Sequence, residues 1–277
     1  LSHITSLPAP YGIGTMGKDA YAFVDFLVRA GQRYWQILPL TPTGYGDSPY
    51  QSLGACAGNH YLIDLDRLAD EGLLKKEEIQ NIPWGSNPAR VDFGAMYAHR
   101  MNVLRQAFQR FTPDKAYETF VEQNRSWLED YALFTALKDT LGGKPWLDWP
   151  EALRLRKADA LAEKRRELSD EIRLQYFVQY EFDRQWKALR SYANAKGVRI
   201  IGDVPIYVPL DSADVWANPE NFQLTRTRRP RCVAGCPPDG FSANGQYWGN
   251  PIYDWGKMER DGYDWWLKRI GAAGRAF

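Results

Sequence analysis

Cysteine, histidine and net charge are all scarce in this sequence, and each scarcity removes a class of function. Three cysteines, Cys56, Cys232 and Cys236, in 277 residues form a sparse, odd set, which argues against a disulfide framework and for a reducing compartment. Cys232 and Cys236 have three residues between them, but no histidine or further cysteine stands nearby, so the pair does not amount to a zinc motif. The three histidines, His3, His60 and His99, lie far apart, and no metal site is expected. Thirty-five basic against 34 acidic residues leave a net charge of +1, which gives no electrostatic case for nucleic acid or an anionic membrane. No run approaches the ~18 apolar residues of a membrane span, and Leu1 does not open a basic-then-apolar signal. A glycine-rich phosphate loop is missing too, so neither a cofactor nor a sugar-nucleotide donor is expected. These exclusions leave a soluble, cytoplasmic chain with a neutral partner.

Aromatic side chains are what the sequence has in abundance: 14% of the residues, with 11 Trp and 16 Tyr. Flat, amphipathic rings suit a ligand that offers apolar faces edged with hydroxyls, although a large α/β core also absorbs many of them. The length allows one large domain or two small ones.

The stretch Gly202-Asp203-Val204-Pro205-Ile206-Tyr207-Val208 is where the chain's organisation converges. Before it, Val198 to Ile201 is a short β-branched run after the helix-ending Gly197 and reads as a buried strand. Asp203 sits where that strand stops, and a carboxylate at the end of a buried parallel strand usually has a partner or a ligand. Leu1 to Ser6 reads as the end of an earlier strand. Ala20, Phe23, Val24, Phe26, Leu27 and Ala30 recur at helical spacing up to Gly31, and Tyr34 to Leu40 follows as a second strand, completing a βαβ unit with parallel strands. The loop Thr41 to Ser52 then leaves that strand's C-terminal end with two tyrosines, two prolines and two glycines, in the position where parallel barrels carry their sites. Tyr61 to Leu65 is strand-like. From about residue 66 to 195 the pattern turns helical, too long for one crossover helix, and is expected to be a helical insertion. After Asp203, the third strand's terminus, the chain reads as loop for about fifty residues, then as a helix from Asp261 to Phe277 with Trp265, Trp266 and Ile270 on its apolar side. Three parallel strands cannot close an eight-stranded barrel. The expectation is the N-terminal part of a larger protein, its open sheet edge and apolar helix faces making it marginally stable in isolation.

Six motifs in order resemble the amylomaltases, the 4-α-glucanotransferase family of the α-amylase superfamily. They are Ser6-Leu7-Pro8 with Tyr11-Gly12-Ile13-Gly14; Tyr34 to Leu40; Gly44 to Ser52; Gly58-Asn59 with Tyr61 to Asp64; Gly202 to Val208; and Val233-Ala234-Gly235 through Asp239 to Trp248-Gly249-Asn250-Pro251. The resemblance spares only the helical middle. It implies an α/β fold, the first three strands of a (β/α)₈ TIM barrel with an inserted helical subdomain, and a retaining double displacement on α-1,4-glucans. Maltooligosaccharides, amylose or glycogen-derived glucans are the partners it implies, with a glucan 4-hydroxyl as acceptor in place of water. It also implies that the nucleophile, the acid/base and a third aspartate come from later strands, beyond Phe277, so this chain carries no catalytic carboxylate and holds substrate instead. By resemblance, Tyr50 stacks on the glucose at the reaction centre and Asp203 organises the site. Asp239 and Phe241 belong to a loop over the cleft, Trp248 lines the acceptor's path, Ser48 and Asn250 are further substrate-binding residues, and Tyr45 serves a second, surface glucan groove. Two departures stand out: Gly240 where relatives carry an aromatic or alanine, and the basic turn Thr225 to Arg231. An α-glucan hydrolase and a non-catalytic glucan-binding module remain alternatives. Water exclusion at the loop Pro237 to Gly245 would separate the first, and a reading frame that continues past Phe277 into an Arg-x-Asp strand would separate the second.

Overall fold

In the computed structural model, which describes residues 1–44, 46–87 and 89–277, the expected amphipathic run forms helix α1 (Lys18–Arg29), burying Ala20, Val24 and Leu27. Asp19 in its first turn and Arg29 in its last complement the helix dipole, and Gly31 at φ 68° ends it in the left-handed region that a side chain resists. Strand β1 (Tyr34–Gln36) follows. It is shorter than the predicted 34–40 run, but Ile37 N still donates to Ile201 O at 3.0 Å.

The helical stretch consists of α2 (Leu65–Asp70), α3 (Lys76–Gln80), α4 (Phe93–Arg110), α5 (Lys115–Thr140), α6 (Glu151–Arg154), α7 (Ala158–Glu167) and α8 (Ser169–Ala195). Asp64, Asp92 and Asp114 cap α2, α4 and α5, accepting from the N–H of Arg67, Ala95 and Tyr117. Strand β2 (Arg199–Ile201) then lies parallel to β1, with Trp35 opposite Ile200. The two-strand sheet is covered on one face only. Trp35 and Ile200 point into the core at 2% and 8% exposure, while Tyr34 and Ile201 on the other face stay 58% and 45% exposed. The strand before Asp203 is therefore half-buried, where a buried strand was expected.

Three further expectations are corrected. Residues 1–6 contribute one ladder-type bond, Ser2 N to Gln36 O, and then coil into a 3₁₀ turn at Ile4–Ser6, so the parallel partner of β1 is β2 and not the N-terminal segment. Residues His60–Leu62 form a 3₁₀ turn where a strand was expected. The region after Asp203 is not all loop: it holds α9 (Ala213–Ala217), the antiparallel hairpin of β3 (Val233–Cys236) and β4 (Gln246–Pro251), and α10 (Trp255–Arg260), before α11 (Asp264–Ala276).

Two large apolar clusters organise these elements. One joins α1, both parallel strands, α4 and α8 through residues such as Val24, Trp35, Leu104, Phe177 and Leu189. The other joins α5 to residues 208–222 and 253–258 around Phe134, Trp146, Trp216 and Tyr253. Residues 58–64 run between strand end and helix without a sheet partner, and two buried glutamines of α8 take that role. Gln179 accepts from Gly58 N (2.7 Å) and donates to Gly58 O (3.0 Å); Gln185 does the same at Asp64 (2.7 and 3.4 Å). Gly58 permits this approach, since a Cβ there would lie 2.0 Å from the Phe182 ring. Asn59 N then donates to Leu40 O at 2.8 Å, which anchors the root of the loop carrying Tyr50. Among the described residues, no helix is long and apolar enough to cross a membrane.

Candidate functional site

Tyr50 and Asp203 are 153 positions apart in sequence, yet the Tyr50 hydroxyl donates to Asp203 Oδ2 at 2.6 Å. Each arrives there for a local reason. The loop after β1 folds back on itself through Gly44 N to Gln51 O (3.0 Å) and Gln51 N to Ser48 O (3.1 Å), and Ser48 Oγ accepts from Tyr50 N at 3.3 Å. Ser48 thus builds the turn that presents Tyr50. Asp203 stands two residues beyond the last pair of β2, after Gly202. Tyr50 is 42% exposed, so part of its side chain is open to solvent beside the cleft. The bond to the Asp203 carboxylate, helped by burial, raises the phenol above its ordinary ionisation range. A cleft of about 600 Å³ opens beside the pair, its wall including Thr41, Tyr50, Trp186, Asp203, Tyr207 and Arg269.

The other residues expected at the site fall into two groups. Trp248 is 44% exposed; its indole N–H donates to Gln246 Oε1 at 3.0 Å, and its ring centroid lies 6.3 Å from that of Tyr207, which links it to the segment leaving Asp203. Asn250 is only 5% exposed and donates to Val208 O at 3.0 Å. Its amide N–H is spent on that backbone carbonyl. Asp239 and Phe241 stand at the tip of the β3–β4 hairpin. There Asp239 accepts from Phe241 N (2.9 Å) and Ser242 N (2.8 Å), and those two amides hold its carboxyl below the ordinary range. Phe241 is 98% exposed and touches nothing at the Tyr50–Asp203 pair in this conformation. The hairpin turns tightly at Gly245 (φ 70°), where a Cβ would lie 2.5 Å from Cys236 O; a Cβ at Gly240 would meet nothing within 4 Å. Tyr45 lies outside the described residues.

Cys232 Sγ donates to Gln223 Oε1 and Cys236 Sγ to Asp239 Oδ2, so the two thiols serve different neighbours. Among the described residues, no three His, Cys, Asp or Glu side chains are placed to hold a metal. The basic turn 225–231 closes through Thr225 N to Arg229 O at 2.8 Å with Arg228 at φ 68°.

Sequence reasoning missed Tyr253 and Arg269, both buried beside the segment that leaves Asp203. A signal for Arg269 was available: it falls three and four positions after Trp266 and Trp265, on the apolar side of α11, where a charge needs a reason.

A family model described as 4-alpha-glucanotransferase matches residues 2–277. A 4-alpha-glucanotransferase of Thermus thermophilus is 51% identical over 279 residues, covering 99% of this chain and 55% of that protein; one from Clostridium butyricum is 49% identical over 271 residues, covering 97% and 56%. The chain therefore spans a little over half the length of these relatives. Among solved structures, an amylomaltase from Streptococcus agalactiae in complex with acarbose superposes with a TM-score of 0.96 at 46% identity, over all of this chain and 57% of that one. An amylomaltase from Corynebacterium glutamicum, 19% identical with a TM-score of 0.75, shares the fold. With a match that runs from the second residue to the last and takes in the turn presenting Tyr50 as well as the strand presenting Asp203, the chain belongs to the 4-alpha-glucanotransferase family.

Proposed function

We propose that this chain is the glucan-holding part of a 4-α-glucanotransferase that moves α-1,4-glucan segments between maltooligosaccharides, with amylose and glycogen-derived glucans as further substrates. The observation that carries this reading is the Tyr50–Asp203 pair: an aromatic face and a carboxylate, from loops at the same ends of two parallel strands, joined at 2.6 Å beside an open cleft. A partly exposed tyrosine ring suits the apolar face of a glucose unit, and its electron-rich face supports an oxocarbenium-like ring without reacting with it.

In the proposed reaction a carboxylate supplied from outside residues 1–277 attacks the anomeric carbon of the donor. A second carboxylic acid gives its proton to the departing glycosidic oxygen. The 4-hydroxyl of an acceptor glucan then displaces the enzyme carboxylate and returns a proton to the second carboxylate, so the α-linkage is retained. Tyr50 and Asp203 hold and orient the glucose unit at that centre. Trp248 borders the path of the acceptor, and the hairpin carrying Asp239 and Phe241 closes over the cleft when glucan is bound. The open end of Gly240 gives that hairpin room to move. Tyr45 serves a separate surface groove in this reading. The parallel strands are the start of a (β/α)₈ barrel, residues 1–277 are part of its catalytic domain with approximately 66–195 as a helical insertion, and the three free thiols fit a reducing, cytoplasmic setting.

The test is to incubate the intact protein carrying this chain with maltotriose and separate the products by length. A ladder of longer maltooligosaccharides together with glucose is expected, with the ladder lost in Tyr50→Ala. Glucose and maltose alone would replace transfer by hydrolysis, and unchanged maltotriose would overturn the reading.

A further inference from the structure

The ten residues that follow β2 carry Asp203 into the cleft without any secondary structure of their own. From Gly202 to Asp211, no main-chain group bonds to another main-chain group among the described residues. Buried backbone carbonyls need donors, and here side chains from elsewhere in the chain supply them. Trp146 Nε1 donates to Leu210 O (2.6 Å) and Ser212 Oγ to Pro209 O (2.7 Å). Nearer to Asp203, Asn250 Nδ2 donates to Val208 O (3.0 Å), Tyr253 OH to Ile206 O (2.9 Å), and Arg269 to Ile206 O (3.4 Å) and to Pro205 O.

The last three donors form one buried unit. Asn250, Tyr253 and Arg269 are 5%, 0% and 5% exposed. Arg269 Nη1 lies 3.3 Å from the Tyr253 hydroxyl, and its guanidinium carbon sits 5.3 and 5.0 Å from the ring centroids of Trp265 and Trp266. Among the described residues, its Nε finds no acceptor. A buried charge held this way is a poor source of stability, because an apolar side chain of similar volume often does as well. What it supplies is direction: two fixed carbonyls within three residues of Asp203. We propose that Asn250, Tyr253 and Arg269 are positioning residues, which fix the path of the backbone out of β2 and so hold the Asp203 carboxylate against the Tyr50 hydroxyl where a glucan binds. The ligand part of this assignment rests on the function proposed above; the geometric part does not.

The experiment uses the intact protein with Tyr253→Phe, which removes the hydroxyl but keeps the ring, and Asn250→Asp, which turns a donor toward Val208 O into an acceptor. Two quantities are measured: acarbose affinity by calorimetry, and the ionisation of Tyr50 followed in protein labelled with ¹³Cζ-tyrosine, assigned through Tyr50→Phe. Each variant is expected to weaken acarbose about fivefold or more and to bring the Tyr50 titration down toward the ordinary tyrosine range. In an Asp203→Asn background neither substitution is expected to weaken binding further, since its route to the ligand is gone. Losses that add in that background, or a Tyr50 titration unchanged in a folded variant, would overturn the proposal. If the wild-type protein binds no acarbose, the functional reading fails while the Tyr50 titration still decides the positioning role.

Discussion

Removing the Tyr50 hydroxyl and the Asp203 carboxylate separately and together gives the most direct measure of whether the site exists in solution as drawn. A hydrogen bond to a charged group contributes roughly 1.5–3 kcal/mol when protected from water. Tyr50 is 42% exposed, and pairs open to solvent are screened to ~1 kcal/mol or less. A coupling of about 1 kcal/mol is therefore expected from urea denaturation of wild type, Tyr50→Phe, Asp203→Ala and the double variant. The sign of its pH dependence follows from the raised ionisation of Tyr50. Folding favours the protonated phenol, so the contribution is whole below the ordinary tyrosine value of about 10 and is lost as pH rises through the folded value. A coupling below about 0.3 kcal/mol, within the scatter of additive sites, or one that persists far into alkali, would refute the pair.

Two other perturbations test how the surrounding framework is held. Burial lowers His3 to about 4, so the unfolded chain takes up the proton first; the stability it contributes is whole above about pH 6.5 and drains as pH falls toward 4, about 3 kcal/mol across the full window. Urea midpoints compared at pH 7.5 and 4.5 should fall less in His3→Gln than in wild type, and equal slopes would exclude His3 as the acid-sensitive group. Gln179→Leu leaves both the N–H and the C=O of Gly58 without their partners, at a cost of roughly 2–5 kcal/mol for two buried polar groups. A loss under about 1 kcal/mol would mean that water replaces the glutamine there.

Elements whose order is set by local sequence were legible, and elements set by contacts from afar were not. Helix α1 could be read because apolar positions at helical spacing, three of which it buries, and a terminal glycine state its face and its end. The length of the helical stretch, and a strand before Asp203, could be read for similar reasons. The β3–β4 hairpin could not, since Gly235, the Pro237-Pro238 pair, Gly245 and Asn250-Pro251 are residues that local rules assign to loops; its strands pair with a register shift between Val233 and Gly235, an irregular ladder that no alternating pattern announces. The segment 58–64 misled for the opposite reason. Its apolar run looks like a strand, but its ladder partners are glutamine side chains 121 residues away.

The site shows the same division more sharply. Tyr50 and Asp203 were legible as residues, through their motifs and through the loop position that parallel strands give them. Their contact was not, because it depends on where the backbone goes after Gly202, and that path is fixed by side chains of β4, of the turn after it and of α11. Asn250 illustrates the consequence. Its place in a recognisable motif marked it as important, and the motif could not say whether its amide faces sugar or backbone. Burial and geometry favour the backbone: an amide 5% exposed and bonded to Val208 O holds the chain that leaves β2, so under the positioning role proposed above its substitution should act on Asp203 first and on ligand second.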